Sequence, residues 1–105
     1  MLKRLREANL AREAERNPEA VASLLFRAVE LGGEAGEALN VVKKFERQRL
    51  GIAGSTATLE ELADELADVL ICVDLVALTA GIDLEAALVR KFNASSENLG
   101  VKTRM

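Results

Sequence analysis

Apolar side chains recur at intervals of three and four residues along almost the whole chain, which is the spacing of one face of an α-helix. Leu2, Leu5 and Ala8 begin such a stripe within residues 2–16. No stretch shows the strict alternation of apolar and polar residues that marks a half-buried strand. The pattern therefore predicts an all-α fold, a bundle of four helices joined by short connections.

The second helix is the longest predicted element, and a proline stands near its start. Asn17 is expected to be its N-cap and Pro18 its first helical residue, because the first turn of a helix does not need the N–H that proline lacks. From Ala20 the helical pattern continues to about Arg49, and residues 50–56 are predicted to form a loop. The stripe that this helix is expected to bury consists of Leu24, Leu25, Ala28, Leu31, Ala35, Leu39 and Val42.

Three glycines, Gly32, Gly33 and Gly36, stand inside the second helix. Each of them costs about 1 kcal/mol of helix stability relative to alanine. One explanation is close helix–helix contact or a local kink, and the other is room for a ligand close to the backbone.

The last two helices have clear start and stop signals. Thr58, with a glutamate three residues later, forms a capping box for a third helix that stops at Gly81. Asp83 is the candidate N-cap of a fourth helix, which is predicted from residue 84 to about residue 98, before Gly100.

Length and charge limit the possible architectures and partners. The chain has 105 residues, which predicts a single domain over residues 1–105. Such a short chain buries a limited core, so association with copies of itself is expected. The net charge of −3 provides no overall basic surface for a nucleic-acid polymer.

Cysteine and histidine content excludes several kinds of site. One Cys and no His rule out an internal disulfide, a zinc cluster and histidine-based catalysis. The longest apolar run, residues 69–80, contains Asp74 and is too short to span a membrane. The N-terminus is charged and shows no signal peptide, so a cytoplasmic location is expected.

Two acidic pairs stand on separate predicted helices: Glu34 with Glu37, and Glu65 with Asp68. The carboxylates of each pair are three residues apart and so project from one helix face. Brought together, they would repel by about 4 kcal/mol per pair at a separation of about 4 Å and an effective dielectric of about 20. No Lys or Arg stands three or four residues from Glu65 or Asp68 to neutralise them. The alternative is that each carboxylate lies on a solvated helix surface.

A divalent cation would relieve this repulsion. Oxygen ligands without Cys or His favour Mg²⁺ or Mn²⁺, and Mg²⁺ in proteins usually binds together with substrate phosphates. The residues therefore suggest a metal-dependent enzyme that acts on the phosphate chain of a nucleotide.

Basic and amide side chains near these pairs are candidate substrate contacts. Lys43 and Lys44 follow Glu37 by one to two turns and can meet the outer phosphates. They can equally be solubilising lysines near a helix C-terminus, where the helix dipole favours them. The same two interpretations apply to Lys91 and Asn93 on the last helix.

Asp74 is a carboxylate within an apolar helical segment, where it has to be paired, protonated or at an interface. It can accept hydrogen bonds from a nucleobase, or it can form a structural ion pair. Arg27, Arg90 and Lys91 are the partners considered for such a pair.

The acidic pairs and their spacing resemble the signature of a known family. An ExxE pair, 27 intervening residues and an ExxD pair are similar to the MazG-like, all-α nucleotide pyrophosphohydrolases. Residues 33–44 resemble the second helix of that family, and residues 62–69 resemble its third helix. Lys91-Phe92-Asn93 and an early Asn9-x-x-Arg12 resemble further family positions.

This resemblance implies an activity and a set of site residues. Family members cleave nucleoside triphosphates between the α and β phosphates and release a monophosphate and pyrophosphate. The resemblance implies that Mg²⁺ is held by Glu34, Glu37, Glu65 and Asp68. It implies phosphate contacts by Lys43 or Lys44, Lys91 and Arg12. It implies sugar or base contacts by Asn9, Asn93 and Asp74. It also implies a homodimer or homotetramer with sites built between chains.

The chain departs from the family where the base would stack. Small relatives carry Trp or Tyr before the first acidic pair and an aromatic residue four positions after the last Asp, whereas here Phe26 and Cys72 stand in those regions. A dCTP- or dUTP-preferring enzyme of the same chemistry is one alternative. A helical interaction module that has lost catalysis is the other.

Overall fold

A computed structural model describes residues 1–17 and 21–105 of the chain. It contains α1 (Leu2–Arg16), α2 (Leu24–Arg49), α3 (Leu59–Thr79) and α4 (Leu84–Leu99). No strand occurs in these described residues. The prediction of an all-α fold with four helices is confirmed.

The predicted start and stop signals of α3 and α4 are confirmed. The Thr58 hydroxyl accepts a hydrogen bond of 3.1 Å from the Glu61 N–H, and the Asp83 carboxylate accepts one of 3.1 Å from the Ala86 N–H. Each bond satisfies a backbone donor that the first helical turn leaves unpaired. Gly81 follows the end of α3 with a φ of 70°, a left-handed conformation that glycine adopts without a steric penalty.

The predicted start of α2 is wrong. Asn17 is the C-cap of α1 rather than the N-cap of α2, because its backbone N–H donates to the Glu13 carbonyl of α1 at 2.9 Å. Pro18 and Ala20 lie outside the described residues. α2 begins at Leu24, and the Ser23 hydroxyl accepts a 3.1 Å hydrogen bond from a backbone N–H of its first turn.

The helices form an extended rather than a closely rounded arrangement. The most extensive packing joins α2 to α3, α1 packs on α3, and α4 packs mainly on α1. The radius of gyration is 17.2 Å, whereas a compact domain of this length has a value of about 13 Å. The apolar core lies on α2 and α3 and contains Ala38, Val41, Cys72, Leu75 and Ala77.

The predicted buried stripe of α2 is wrong for most of its members. Leu31 and Ala35 are half-buried, but Leu24, Leu25, Ala28, Leu39 and Val42 are exposed. The buried face instead carries Arg27, Ala38 and Val41. One apolar stripe of α2 carries Leu39 and Val42, and a second one, about a quarter-turn away, carries Ala38 and Val41. Periodicity alone does not tell which of the two stripes faces the chain's own core.

None of the helices within the described residues is long and apolar enough to cross a membrane.

Candidate functional site

The packing of α2 against α3 brings glutamates from both helices to one place. One carboxylate oxygen from each of Glu34, Glu37 and Glu65 lies within 4.8 Å of the others. Asp68 is not part of this group, but it is near enough for its charge to raise the pKa of Glu34 and Glu65. Three of the four predicted metal ligands therefore form one cluster, and the fourth lies at its edge.

The cluster makes two of its carboxylates harder to ionise. Loss of water around Glu34 raises its pKa first, and repulsion from Glu37 and Asp68 raises it further. Desolvation is also the first cause of the raised pKa of Glu65, followed by repulsion from Glu37 and Asp68. Holding these groups ionised together at neutral pH therefore costs free energy, which a bound cation would offset.

Two oxygens in the cluster are shielded from solvent and have no hydrogen-bond donor among the residues that the structure describes. Oε2 of Glu34 and Oε2 of Glu65 are shielded from solvent and lack a hydrogen-bond partner within the described part of the chain. A solvent-shielded polar atom normally has a hydrogen-bond partner. A divalent cation such as Mg²⁺ or Mn²⁺ would fit this donor set of carboxylate oxygens.

The candidate phosphate contacts are spread over three helices. Arg12, Lys43 and Lys91 are exposed, and Lys44 is half-buried. None of these four forms an ion pair with another described residue, so their charges remain free for a ligand. Lys43 and Lys44 share α2 with two of the clustered glutamates, whereas Lys91 stands on α4, which packs mainly on α1.

Asn9 and Asp74 are both buried, with 1% of their surface exposed, and they contact each other. The Asn9 amide donates to Oδ2 of Asp74 at 2.9 Å, and Nε of Arg6 donates to Oδ1 at 3.0 Å. The pair that was expected with Arg27, Arg90 or Lys91 is therefore made with Arg6. A substrate role for Asn9 and Asp74 stays a prediction.

Arg6 is the residue of this network that the sequence analysis missed. It stands three residues before Asn9, so both side chains project from one face of α1, and this spacing was the available signal. Its guanidinium also donates to the Ile82 carbonyl at 2.9 Å. Arg6 thereby joins α1 to α3 and to the turn before α4. An open cavity of about 480 Å³ lies beside Asp74, between the first turns of α1 and this turn.

Arg27 is buried in a structural ion pair rather than free for a ligand. Its guanidinium lies 2.7 Å from Glu13 of α1 and 2.9 Å from Glu30 of α2. Burial lowers the pKa of Arg27, but the hydrogen bonds that its guanidinium donates to Glu30 and Glu13, with the attraction of both negative charges, outweigh burial and raise the pKa overall. Cys72 is buried in the core as predicted, and burial raises the pKa of its thiol, so it is not an activated nucleophile.

Asn93 is half-buried on α4, and its side-chain amide contacts the backbone of Met105. A contact between Asn93 and a nucleotide stays a prediction.

No protein-family model, curated protein or solved structure matches this chain.

Proposed function

We propose that the chain is a Mg²⁺-dependent nucleoside triphosphate pyrophosphohydrolase, which converts a (d)NTP to a (d)NMP and pyrophosphate in housekeeping of the cytoplasmic nucleotide pool. The observation that supports this most is the cluster of Glu34, Glu37 and Glu65, two of which carry a solvent-shielded oxygen without a partner. The resemblance of both acidic pairs to the MazG-like signature adds the substrate class.

In this proposal the two acidic pairs hold the metal. The chemistry that a bound Mg²⁺ supplies at such a site is polarisation of phosphate oxygens and a lower pKa for the attacking water. A carboxylate of the cluster orients that water and accepts its proton. The water adds across the α–β anhydride, and the P–O bond to the pyrophosphate leaving group breaks. Lys44 lies two turns beyond Glu37 on the same helix and steadies the charge of the outer phosphates.

A base contact by Asp74 is compatible with the length of a nucleotide. Asp74 follows Asp68 by six residues, which is about 9 Å along a helix. It also lines the cavity of about 480 Å³, which lies within the size range of small-molecule sites. The residues that line this cavity do not include Glu34, Glu37 or Glu65, so the proposal requires a nucleotide that reaches from the cluster around α3 to Asp74.

We further propose that the protein acts as a homodimer or homotetramer. The uncovered stripe of α2 includes Leu39, which is 68% exposed, and Val42, which is 48% exposed. Gly32 lies seven residues before Leu39 and so on the same helix face, where an added Cβ would meet no atom of the described chain within 4 Å. A second copy packed on this stripe would bury the apolar surface and explain the extended shape of one chain.

The test is a product assay with a matched control. The protein is incubated with Mg²⁺ and a panel of canonical and modified nucleotides, and the products are separated. We expect monophosphate and pyrophosphate from the wild type, and a loss of at least about 100-fold in turnover for Glu65→Gln. Glu60→Gln removes an exposed carboxylate from the first turn of the same helix and should retain activity. Diphosphate with orthophosphate would contradict the assigned bond.

A non-catalytic helical interaction module is the second candidate. The exposed apolar stripe of α2 favours it, because such a surface also fits a helical partner protein. Absence of turnover across the panel, or equal turnover by wild type and Glu65→Gln, would favour this module over the enzyme.

A further inference from the structure

The later turns of α4 carry an open apolar face, which consists of Leu88, Phe92 and Leu99 and which we call the α4 face. These three residues lie within about 40° of one another around the helix axis. They are between 40% and 77% exposed. α4 packs mainly on α1, and the ion pair of Lys3 with Glu85 joins α1 to the first turn of α4, so the later turns remain accessible.

The first turns of α3 carry a second open apolar face, the α3 face, which consists of Leu59, Leu66 and Leu70. These residues also lie within about 40° of one another around their helix. They are between 46% and 77% exposed, because α1 and α2 pack on other sides of α3. Large apolar residues grouped in this way at the surface are typical of interaction sites.

The spacing of the two faces matches when the helices run in opposite directions. Along α3 the three residues are separated by seven and then four positions, and along α4 by four and then seven. Each face is therefore about 16 Å long, and antiparallel packing brings every member of one face opposite a member of the other. The resulting pairs are Leu59 with Leu99, Leu66 with Phe92, and Leu70 with Leu88.

The charges around the two faces have opposite signs. Residues 59–70 contain five acidic and no basic side chains, whereas residues 88–105 contain four basic side chains and one acidic side chain. Complementary charges of this kind attract the two surfaces and disfavour contact of either surface with its own copy. An anionic lipid surface would also attract the basic residues, but it offers no counterpart to the matched spacing.

We propose that α4 of one copy packs antiparallel on the α3 face of a second copy, and that the contact is reciprocal. The contact rests on the proposed assembly, for which it specifies the helices that meet. Within one chain, the Arg6 bond to the Ile82 carbonyl at 2.9 Å and the Lys3–Glu85 pair at 3.5 Å hold the start of α4 against α1. Every copy presents both faces, so two copies close into a symmetric dimer in which each α4 covers the partner's α3 face.

Leu66→Glu and Leu50→Glu form a matched pair for measuring the contact. Both leucines are 55% exposed, but Leu50 lies at the end of α2, outside both faces. Self-association is measured by sedimentation equilibrium. We expect Leu66→Glu to weaken it by at least about 30-fold, because a charge replaces the central residue of the α3 face, and Phe92→Glu to act in the same way. Leu50→Glu should leave association unchanged, and equal association of the Leu66 and Leu50 variants would overturn the proposal.

Disulfide cross-linking tests the register of the contact. Leu66→Cys and Phe92→Cys are combined in a Cys72→Ala background, the protein is oxidised with diamide, and the products are separated without reductant. We expect a covalent dimer. Leu66→Cys with Leu99→Cys is the control, because this pair is about 10 Å out of register and beyond the reach of a disulfide. A disulfide formed within a single chain would overturn the proposal, since α4 would then fold back on its own α3.

The outcomes separate this contact from the proposals on which it builds. If wild type is a dimer that Leu39→Glu dissociates but no cross-link forms between positions 66 and 92, the proposed assembly stands and the contact between α3 and α4 is refuted. A wild type that is monomeric at every concentration would refute both, while the product assay still decides the proposed enzyme activity. Co-sedimentation of wild type, but not of Phe92→Glu, with vesicles of phosphatidylcholine and phosphatidylserine would assign the α4 face to a lipid surface and overturn the proposal.

Discussion

The buried carboxylate of Asp74 makes the most specific prediction about what holds the helices together. Asp74 is 1% exposed, and it receives one bond from Arg6 and one from Asn9. Arg6→Met keeps most of the alkyl chain but removes the charge and both of its hydrogen bonds, including the one to the Ile82 carbonyl. The change leaves the buried Asp74 side chain with a single amide donor, from Asn9.

The expected loss of stability follows from this geometry. Removing one partner of a buried ion pair typically costs about 3–5 kcal/mol. Here the Arg6 side chain is 26% exposed and Asn9 still donates to Asp74, so water and the remaining bond reduce the expected cost to about 2–3 kcal/mol. For a domain whose total stability is about 5–15 kcal/mol, this is a large fraction. The melting temperature should fall by about 10–20 °C.

The assay is denaturant unfolding followed by the helical circular dichroism signal, at one protein concentration because the proposed association would also contribute to stability. Arg4→Met is the matched control, since Arg4 is exposed on the same helix and should change stability by less than about 0.5 kcal/mol. Combining Arg6→Met with Asp74→Leu should recover part of the loss, because the buried charge is then gone. Equal unfolding of the Arg6 and Arg4 variants would refute the view that Arg6 holds α1 on α3.

Two further predictions concern the glutamate cluster and the exposed stripe. The pKa values of Glu34 and Glu65 are raised in the folded protein above their ordinary value of 4.5. These groups therefore stabilise the folded state fully below pH 4.5, and this contribution is lost as the pH rises through their folded pKa values. The metal-free protein should accordingly become relatively less stable towards neutral pH. The stabilisation of the folded protein by Mg²⁺ should decrease as the pH falls over the same range, because protonated carboxylates do not bind metal. Melting curves recorded in EDTA and in Mg²⁺ at several pH values test both predictions. Leu39→Glu should convert the proposed assembly to helical monomers, measured by light scattering, whereas Leu10→Glu, the same change at an exposed position of α1, should not. A monomeric wild type would contradict the proposed assembly.

Local chemistry made the starts of α3 and α4 predictable, while long-range packing hid two other features. Thr58 and Asp83 cap their helices through atoms three residues away, so the relevant partners are visible in a short window of sequence. The partner of Asp74 lies 68 residues away on α1, and nothing in the local pattern ranks Arg6 above the other cations. Which of the two apolar stripes of α2 is buried depends on where α3 packs. The sequence therefore predicted Leu39 to be buried, whereas the structure exposes Leu39 and buries Val41.

The clustering of the three glutamates could be predicted because both acidic pairs are visible in the sequence. Glu34, Glu37 and Glu65 meet because α2 and α3 pack side by side, and the sequence shows both acidic pairs at helical spacing. It does not show that one oxygen of Glu34 and one of Glu65 lose both water and partners, since that depends on the depth of the interface. The solvent-shielded oxygens are the feature of the cluster that the acidic residues alone do not predict.

The adjacent glycines of α2 allow the two explanations for them to be tested separately. An added Cβ at Gly32 or Gly33 meets no atom of the described chain within 4 Å, so alanine at either position should stabilise an isolated chain by about 1 kcal/mol. Gly32 lies on the face of the exposed stripe, whereas Gly33 lies one turn before Glu37 on the face of the glutamates.

The two alanine variants should therefore diverge once the protein assembles and binds its ligand. Gly32→Ala should weaken association, measured by light scattering over a dilution series, if copies approach closely on the stripe. Gly33→Ala should leave association intact and weaken Mg²⁺ or nucleotide binding, measured by titration calorimetry, if a ligand passes close to the backbone there. If both variants only raise the melting temperature and alter neither association nor binding, then the glycines of α2 serve neither contact, and the stripe and the cluster have to be explained without them.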